Sequence, residues 1–254
     1  MREKIDHLDK KILYELDYDA RQSDSKIAKK LGRSTEVINY RIRKLEKEKI
    51  ITHYSVIVNL SKLNIIQFKI CMVLQHISSK VLYAKIEELK GEHAVKWIAE
   101  VRGGWDIILS LETDSLARVD SLKQYVMKVF AGYVENKEIA ILVKGITHNR
   151  DFLMKDISSP HRSRNIMIND DPVKIDPTDK AILKKLVENG RMPIVKIAQQ
   201  LNLTSRIVDY RIKQMRKNKI ILGFKISLNY NKLGIRFYKT FITLEASEEK
   251  RVRA

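Results

Sequence analysis

The chain has 254 residues and a net charge of +18, from 49 lysines and arginines against 31 aspartates and glutamates. That length holds two or three small domains, and 44% apolar residues rules out a chain too polar to fold. One cysteine, Cys71, excludes an internal disulfide and a thiolate metal cluster. No apolar run approaches the ~18 residues of a membrane span, and the N-terminus lacks the core of a signal peptide, so a cytoplasmic protein is expected.

Leu8, Ile12, Leu13 and Leu16 recur at helical spacing and predict a helix over 8–18. Ser23 can cap a second short helix that ends at Leu31 and Gly32. Ser34 or Thr35 then caps a third over 35–48, with Ile38, Ile42 and Leu45 as its buried stripe. A β-rich run over 50–58 alternates as a hairpin or wing does. Three short helices with a tight turn before the third make a helix-turn-helix, and the strands make it winged.

Strands are expected over 67–77, 94–101, 105–111 and 139–146, and helices over 81–89 and 116–129. The order βαββαβ is that of a ferredoxin-like unit. Residues 154–174, with Ser158-Ser159-Pro160 and Asp170-Asp171-Pro172, read as a linker.

Slid against itself by 170 residues, the sequence aligns 5–75 with 175–245 without a gap, and 25 of those 71 positions are identical. Two copies are too few for a solenoid, so the reading is a duplicated domain. The second copy repeats the apolar pattern with Ile182, Leu183, Leu186 and Val187, starts its helices at Pro177 and Pro193, and caps the third with Thr204 or Ser205. The chain is therefore read as α+β, in five parts. A winged helix-turn-helix over 1–62 is followed by a ferredoxin-like ligand-sensing and oligomerisation domain over 63–153. The linker over 154–174 and a second winged helix-turn-helix over 175–232 come next. Residues 233–254 hold only the first strand, 235–244, of an incomplete second ferredoxin-like domain.

The charge is unevenly placed. Residues 175–232 carry 13 basic and 4 acidic side chains, net +9, whereas residues 1–60 carry 14 and 10, net +4. On the first third helix the outward residues are Thr35, Glu36, Asn39, Tyr40 and Arg43; on the second they are Ser205, Arg206, Asp209, Tyr210 and Lys213. Hydroxyl, carboxylate, amide and cationic groups are the types that read base edges. Lys44, Lys47, Lys49, Arg216, Lys217 and Lys219 lie further along and suit phosphates. A merely solvated helix would also be charged outside, but 203–219 carries six basic residues and one acid, which is lopsided for that. Arg21 and Arg191 match in the loop before each second helix, where a structural ion pair or helix cap outweighs a DNA contact.

The first copy plus the middle segment resembles the leucine-responsive and asparagine-type feast/famine regulators (Lrp/AsnC). The residues that carry the likeness include Leu8-Asp9, Ile12-Leu13, Asp19-Ala20-Arg21, Ile27-Ala28, Leu31-Gly32, Arg41-Ile42, Ile50-Ile51 and Lys62-Leu63. In the middle segment they are Gly103, Gly104, Trp105 and Asp106, a Gly-x-x-Asp turn between two strands. The resemblance implies a transcription regulator that binds double-stranded DNA, and a ferredoxin-like domain that forms homo-oligomers and takes an amino-acid effector near that turn. No cofactor, metal or membrane is implied. Two departures stand out. The family has Gly after the third helix where this chain has Lys49 and Lys219, so a different helix ending is expected. Asn64 stands where the second copy has Gly234, and because Asn tolerates positive φ one turn can serve both. A lone strand over 235–244 would be an unpaired edge; it must pair with the sheet of 67–146 or a partner chain, unless the product is truncated.

Three other classes remain open. The six histidines show no metal-ligand spacing. Sirohaem decarboxylases share the architecture, some in duplicate, but their Trp/Pro/Tyr-rich haem-pocket segment does not match Arg102-Gly103-Gly104-Trp105-Asp106-Ile107. A ligand-sensing adaptor without DNA binding, or sequence-independent chromatin-type DNA binding, would also suit the composition. The favoured expectation is two helix-turn-helix units on one DNA, joined by a flexible linker of about 25 Å root-mean-square span, with unequal reading faces.

Overall fold

The computed structural model describes residues 5–154, 162–167 and 170–242. The expected turn at Ser158-Ser159-Pro160, residues 243 and 244 of the expected final strand, and the charged stretch from Glu248 to Arg253 lie outside them.

The first copy forms α1 (His7–Tyr18), α2 (Asp24–Leu31) and α3 (Thr35–Lys47), then the strand β1 (Ile51–Val58). The caps are those the sequence offers. Ser23 accepts from the Lys26 N–H and Ser34 from the Val37 N–H. The helix α3 ends with Lys49 in the left-handed region (φ 54°), with the Lys49 N–H donating to the Glu46 carbonyl and the Ile50 N–H to the Leu45 carbonyl. Lys219 does the same after the second copy's third helix (φ 56°). The expectation of a different ending is thus overturned. Two carbonyls satisfied in a Schellman arrangement, and Ile50 and Ile220 pulled into the core, outweigh the roughly 1 kcal/mol strain of a non-glycine residue there. Asn64 (φ 58°) and Gly234 (φ 68°) share one turn conformation, as expected.

The ferredoxin-like unit holds β2 (Ile66–Leu74), α4 (Ser79–Lys90), β3 (Val95–Glu100), β4 (Ile107–Thr113), α5 (Leu116–Val129) and β5 (Val134–Ile141). Its antiparallel sheet has the order β3-β4-β2-β5, and Phe68, Ile70, Met72, Leu109 and Leu111 meet Leu89, Leu122 and Val126 of the helices in its core. The last strand lies earlier than the expected 139–146. It is a sheet edge carrying Glu135, Asn136, Lys137 and Glu138, and edge strands are charged because an apolar edge invites aggregation. An apolar pattern therefore misses it.

The expected linker is ordered where it is described. After β5 comes β6 (Gly145–His148), a short 3-10 turn (Asp151–Leu153), and β7 (Ser163–Met167), which pairs antiparallel with β6. The second copy follows as α6 (Pro177–Glu188), α7 (Ile194–Gln200), α8 (Ser205–Lys217) and β8 (Ile221–Leu228).

The two copies do not act as beads on a string. The run expected to form each unit's own hairpin is one strand, and its partner is the other copy: β1 pairs antiparallel with β8. The register is self-consistent under the repeat. Ser55 faces Lys225, which are equivalent positions; Tyr54↔Ile226 is mirrored by Val56↔Phe224, and Ile51↔Leu228 by Val58↔Ile221. An antiparallel ribbon whose centre pairs equivalent residues has a local twofold axis at that centre. Other contacts obey the same axis. The Ala20 N–H donates to the Phe224 carbonyl at 3.1 Å, and the Gly190 N–H to the Tyr54 carbonyl at 2.6 Å. The Gly190 bond is the closer of the two, and a Cβ there would lie 3.0 Å from the Tyr54 oxygen, whereas its equivalent Ala20 carries one. One joint core, including Leu13, Ile42, Tyr54, Leu183, Ile212 and Phe224, contains both copies.

The expected strand at 235–244 does not form among the described residues. Residues 235–242 belong to no helix or strand ladder. Phe237 stacks on Tyr230 (6.1 Å), Phe241 meets Trp105 edge-on (6.5 Å), and the Lys239 ammonium sits 4.9 Å from the Trp97 ring centre. The segment therefore touches side chains of the sheet instead of its backbone edge.

Candidate nucleic-acid interface

The geometry of α3 and α8 follows from their buried stripes. Ile38, Ile42 and Leu45, and equally Val208, Ile212 and Met215, are locked in the joint core. That orients the opposite faces outward. Thr35, Glu36, Tyr40, Arg43 and Lys47 are exposed on α3, and Ser205, Arg206, Tyr210, Lys213, Arg216 and Lys217 on α8. Tyr40 is 67% and Tyr210 59% exposed, which is high for large rings and leaves their hydroxyls and edges available.

Several expected contact residues are committed within the protein. The Asn39 amide donates to Asp24 of α2 at 2.8 Å, so it braces the turn between the helices. Asp209 holds Lys213 in an ion pair at 2.6 Å one turn along α8. Lys44 lies 3.7 Å from Glu48. The Arg216 guanidinium lies 5.7 Å from the Phe224 ring centre and 3.9 Å from Asp19 of the other copy, so it is shared with the seam. A hydrogen bond from its own backbone N–H, with one from the Ser34 hydroxyl, holds the Glu36 carboxyl below its ordinary value, so Glu36 stays anionic on α3. Its equivalent on α8 is Arg206.

Sequence reasoning missed how the two helices are fixed relative to each other. Arg21 donates to the Gly190 carbonyl and Arg191 to the Ala20 carbonyl, each at 2.8 Å across the seam. Their guanidinium groups lie 5.5 and 5.6 Å from the rings of Phe224 and Tyr54 in the opposite copy, and Arg191 also pairs with Asp24. The match of Arg21 with Arg191 was the visible signal; reciprocity across a twofold axis was not. A second pair, Arg41 and Arg211, clamps the acids that open α1 and α6: Asp6 and Asp9, Asp176 and Asp179.

The Gly-x-x-Asp turn is structurally engaged. The Asp106 carboxylate accepts from the Leu74 N–H at 2.8 Å, and the Asp106 N–H donates to the Met72 carbonyl. Trp105 is half-buried against Phe241 and lies outside the domain core, while Gly103 (φ 134°) and Gly104 are exposed. Among the described residues no histidine, cysteine or carboxylate cluster could hold a metal, and no helix is long and apolar enough to cross a membrane.

The AsnC-type helix-turn-helix domain profile matches residues 5–46 and again 175–216. An uncharacterised HTH-type transcriptional regulator of Pyrococcus furiosus is 39% identical over 62 residues, 24% of this chain and 42% of that protein. A second from the same organism is 29% identical over 126 residues, 48% of this chain and 82% of that protein. LrpA of Pyrococcus horikoshii is 38% identical over 60 residues, 24% of this chain and 43% of that protein. Thus the chain spans less than half of two of these relatives. Among solved structures, a transcriptional regulator from Neisseria meningitidis in complex with L-methionine superposes with a TM-score of 0.51 at 16% identity, covering 58% of this chain and 95% of that one. The sirohaem decarboxylase NirDL superposes with a TM-score of 0.56 at 13% identity, covering 87% of this chain and 65% of that one. Both likenesses concern the fold alone.

Proposed function

We propose that this chain is a DNA-binding transcription regulator of the Lrp/AsnC type, on the AsnC-type helix-turn-helix match in both copies, and that it grips one DNA duplex with both units as an inverted pair. The single observation that carries this is the register of β1 with β8, in which Ser55 faces its own equivalent, Lys225. A local twofold relates α3 to α8, and a duplex offers matching symmetry at an inverted repeat. Half-sites one helical turn apart, about 34 Å, are the expected spacing. In this reading Thr35, Glu36, Tyr40 and Arg43 face one half-site, and Ser205, Arg206, Tyr210 and Lys213 the other. Lys44, Lys47, Arg216 and Lys217 meet phosphates. Asn39 and Asp209 act by holding neighbours, Asp24 and Lys213. Because Glu36 opposes Arg206 in the repeat, the two half-sites differ: the operator is an imperfect inverted repeat.

Selection of bound sequences from a random pool, followed by footprinting, tests this. The expected result is an inverted repeat occupied by both helices of one chain. Enrichment of direct repeats, or of single half-sites with one helix protected, would sink it. Equal affinity for all sequences would favour the chromatin-type alternative.

The relative solved with L-methionine makes an amino acid the first effector to try, with Gly103, Gly104, Trp105 and Asp106 as the candidate site and the ferredoxin-like domain as the candidate homo-oligomer contact. Calorimetry against the amino acids should give heat with one of them, lost in D106A. The fold shared with NirDL gives no reason by itself to assign sirohaem chemistry, and the AsnC-type match in both copies favours regulation.

A further inference from the structure

The local twofold makes each copy a template for the other, and at one place, among the described residues, the template is filled on one side only. Beside α1, residues 149–153 lie in a groove formed with the turn after β8. Arg150 forms an ion pair with Asp17 and donates to the Tyr230 hydroxyl at 2.9 Å. The Tyr14 hydroxyl donates to the Asp151 carboxylate at 3.2 Å, and Leu153 is buried in the joint core. The mirror of this groove, beside α6 and the turn after β1, is an open cavity of about 750 Å³. Its walls include Leu60, Leu183 and Val187, and its rim Lys180 and Lys184. Val187 is 57% exposed, high for a valine beside the buried Leu183-Leu186 stripe.

The repeat shows how the chemistry differs. Position by position, Lys184 replaces Tyr14, Val187 replaces Asp17, and Leu60 replaces Tyr230. The two side chains that hold the Arg150 guanidinium, Asp17 and Tyr230, have become apolar, leaving of its partners only the mirror of the Ile226 carbonyl, and the hydroxyl that meets the Asp151 carboxylate has become an ammonium. A segment seated here in the same way would need an apolar residue in place of Arg150, a carboxylate in place of Asp151 facing Lys184, and a bulky apolar residue in place of Leu153. This chain's own 149–153 is engaged at the first groove and carries the wrong residue for the second.

We propose that the groove beside α6 is a docking site for a polypeptide segment that presents a carboxylate between bulky apolar side chains, a counterpart of residues 149–153 supplied by another protein. Burial of two apolar side chains and a screened lysine–carboxylate pair predict weak, reversible affinity for a short segment, in the range of about 0.1–1 mM. This inference is independent of the DNA-binding reading.

The test uses the full chain and two synthetic peptides, one copying residues 149–154 and one copying them with R150L, followed by amide chemical shifts. The R150L peptide is expected to give saturable shifts around Lys184 and Val187 and to bind about tenfold more tightly than the native-sequence peptide. V187D should reverse that preference, because it restores the arginine partner seen at Asp17. K184E should weaken the R150L peptide several-fold. Val187 and Lys184 are exposed, so an unchanged melting temperature checks that both variants fold. Equal binding of the two peptides, shifts confined to the α1 groove, or no saturation with either would overturn the proposal. So would self-association of the chain that the R150L peptide competes away, since the occupant would then be a second copy.

Discussion

The two helix-turn-helix copies have one backbone and two surroundings. Both bury the same apolar stripe, both end the third helix on a left-handed lysine, and both lend a strand to the shared ribbon. They differ at the first helix. The α1 side is strapped: Arg162 stacks 5.0 Å from the Tyr14 and Tyr18 rings and pairs with Glu15, Arg164 crosses β8 at Gly223 and lies over Tyr18, and the buried Asp17 takes Arg150 and Lys225. The α6 side has Lys184, Lys185 and Glu188 at those positions and no such strap among the described residues. Duplication thus preserved what the joint core requires. It left free to diverge the surfaces beside the two first helices, of which the α1 side carries the strap.

The seam common to both copies should be the largest lever. Phe224 is fully buried at the crossing of Arg21, Arg216 and the Ala20 backbone. F224A is expected to cost about 3–5 kcal/mol in denaturant unfolding. A fragment of 1–174, lacking β8, would expose the β1 edge and should self-associate in sedimentation. If that fragment were a stable monomer, the ribbon would not be the seam.

The strap comes next and acts on one copy. D17N leaves the Arg150 and Lys225 charges short of a carboxylate in a buried site, with an expected loss of about 2–4 kcal/mol. Its mirror V187N, at an exposed position, should change stability by less than about 0.5 kcal/mol. Equal losses in the two would deny the asymmetry. Acid should act on the same side. Burial pushes the Glu15 carboxyl up, but hydrogen bonds from Lys30 and Arg162 and their charges outweigh that and hold it below its ordinary value. A depressed carboxylate contributes stability above the unfolded value, near 4.5, and that stability is lost as the pH falls through the lower folded value. Hydrogen exchange should show α1 loosening at a higher pH than α6.

On the DNA side the expected differences are smaller. Each phosphate-contacting lysine removed should flatten the slope of log affinity against log salt by about 0.9. K217A and K47A should each do so without changing sequence preference, whereas R43A and K213A should relax preference at one half-site each. The second copy, with net +9, should carry the larger share of the salt dependence. The smallest effect concerns residues 235–242. Burial, and then the neighbouring Lys69, push the Lys239 ammonium down to about 8. The undocked segment therefore binds the proton more readily, and docking should firm as the pH rises from about 8 toward 10.5. Fluorescence of Trp97 and Trp105 should report this, and K239M should abolish the pH dependence.

Much of this was legible in advance. Helical spacing, Ser and Thr caps and the 170-residue repeat located six helices of the two copies, because each is a local signal that the second copy repeats. The outward faces of α3 and α8 followed from their buried stripes. Other features were not legible for identifiable reasons. The edge strand β5 is written in charges, and the left-handed Lys49 breaks a preference that two hydrogen bonds and a buried isoleucine override. Asn39 and Asp209 looked like base readers, since a side chain's type does not reveal a neighbour 15 residues away or one turn along.

By itself the sequence determined a duplicated basic helix-turn-helix, a βαββαβ unit between the copies, and a charge concentrated in the second copy. Only the tertiary structure decided that β1 and β8 complete each other. An alternating strand states which face is apolar but not which strand accepts its hydrogen bonds, and a partner 170 residues away leaves no local trace. That pairing turned an expected flexible tether into a fixed, twofold-related pair of third helices.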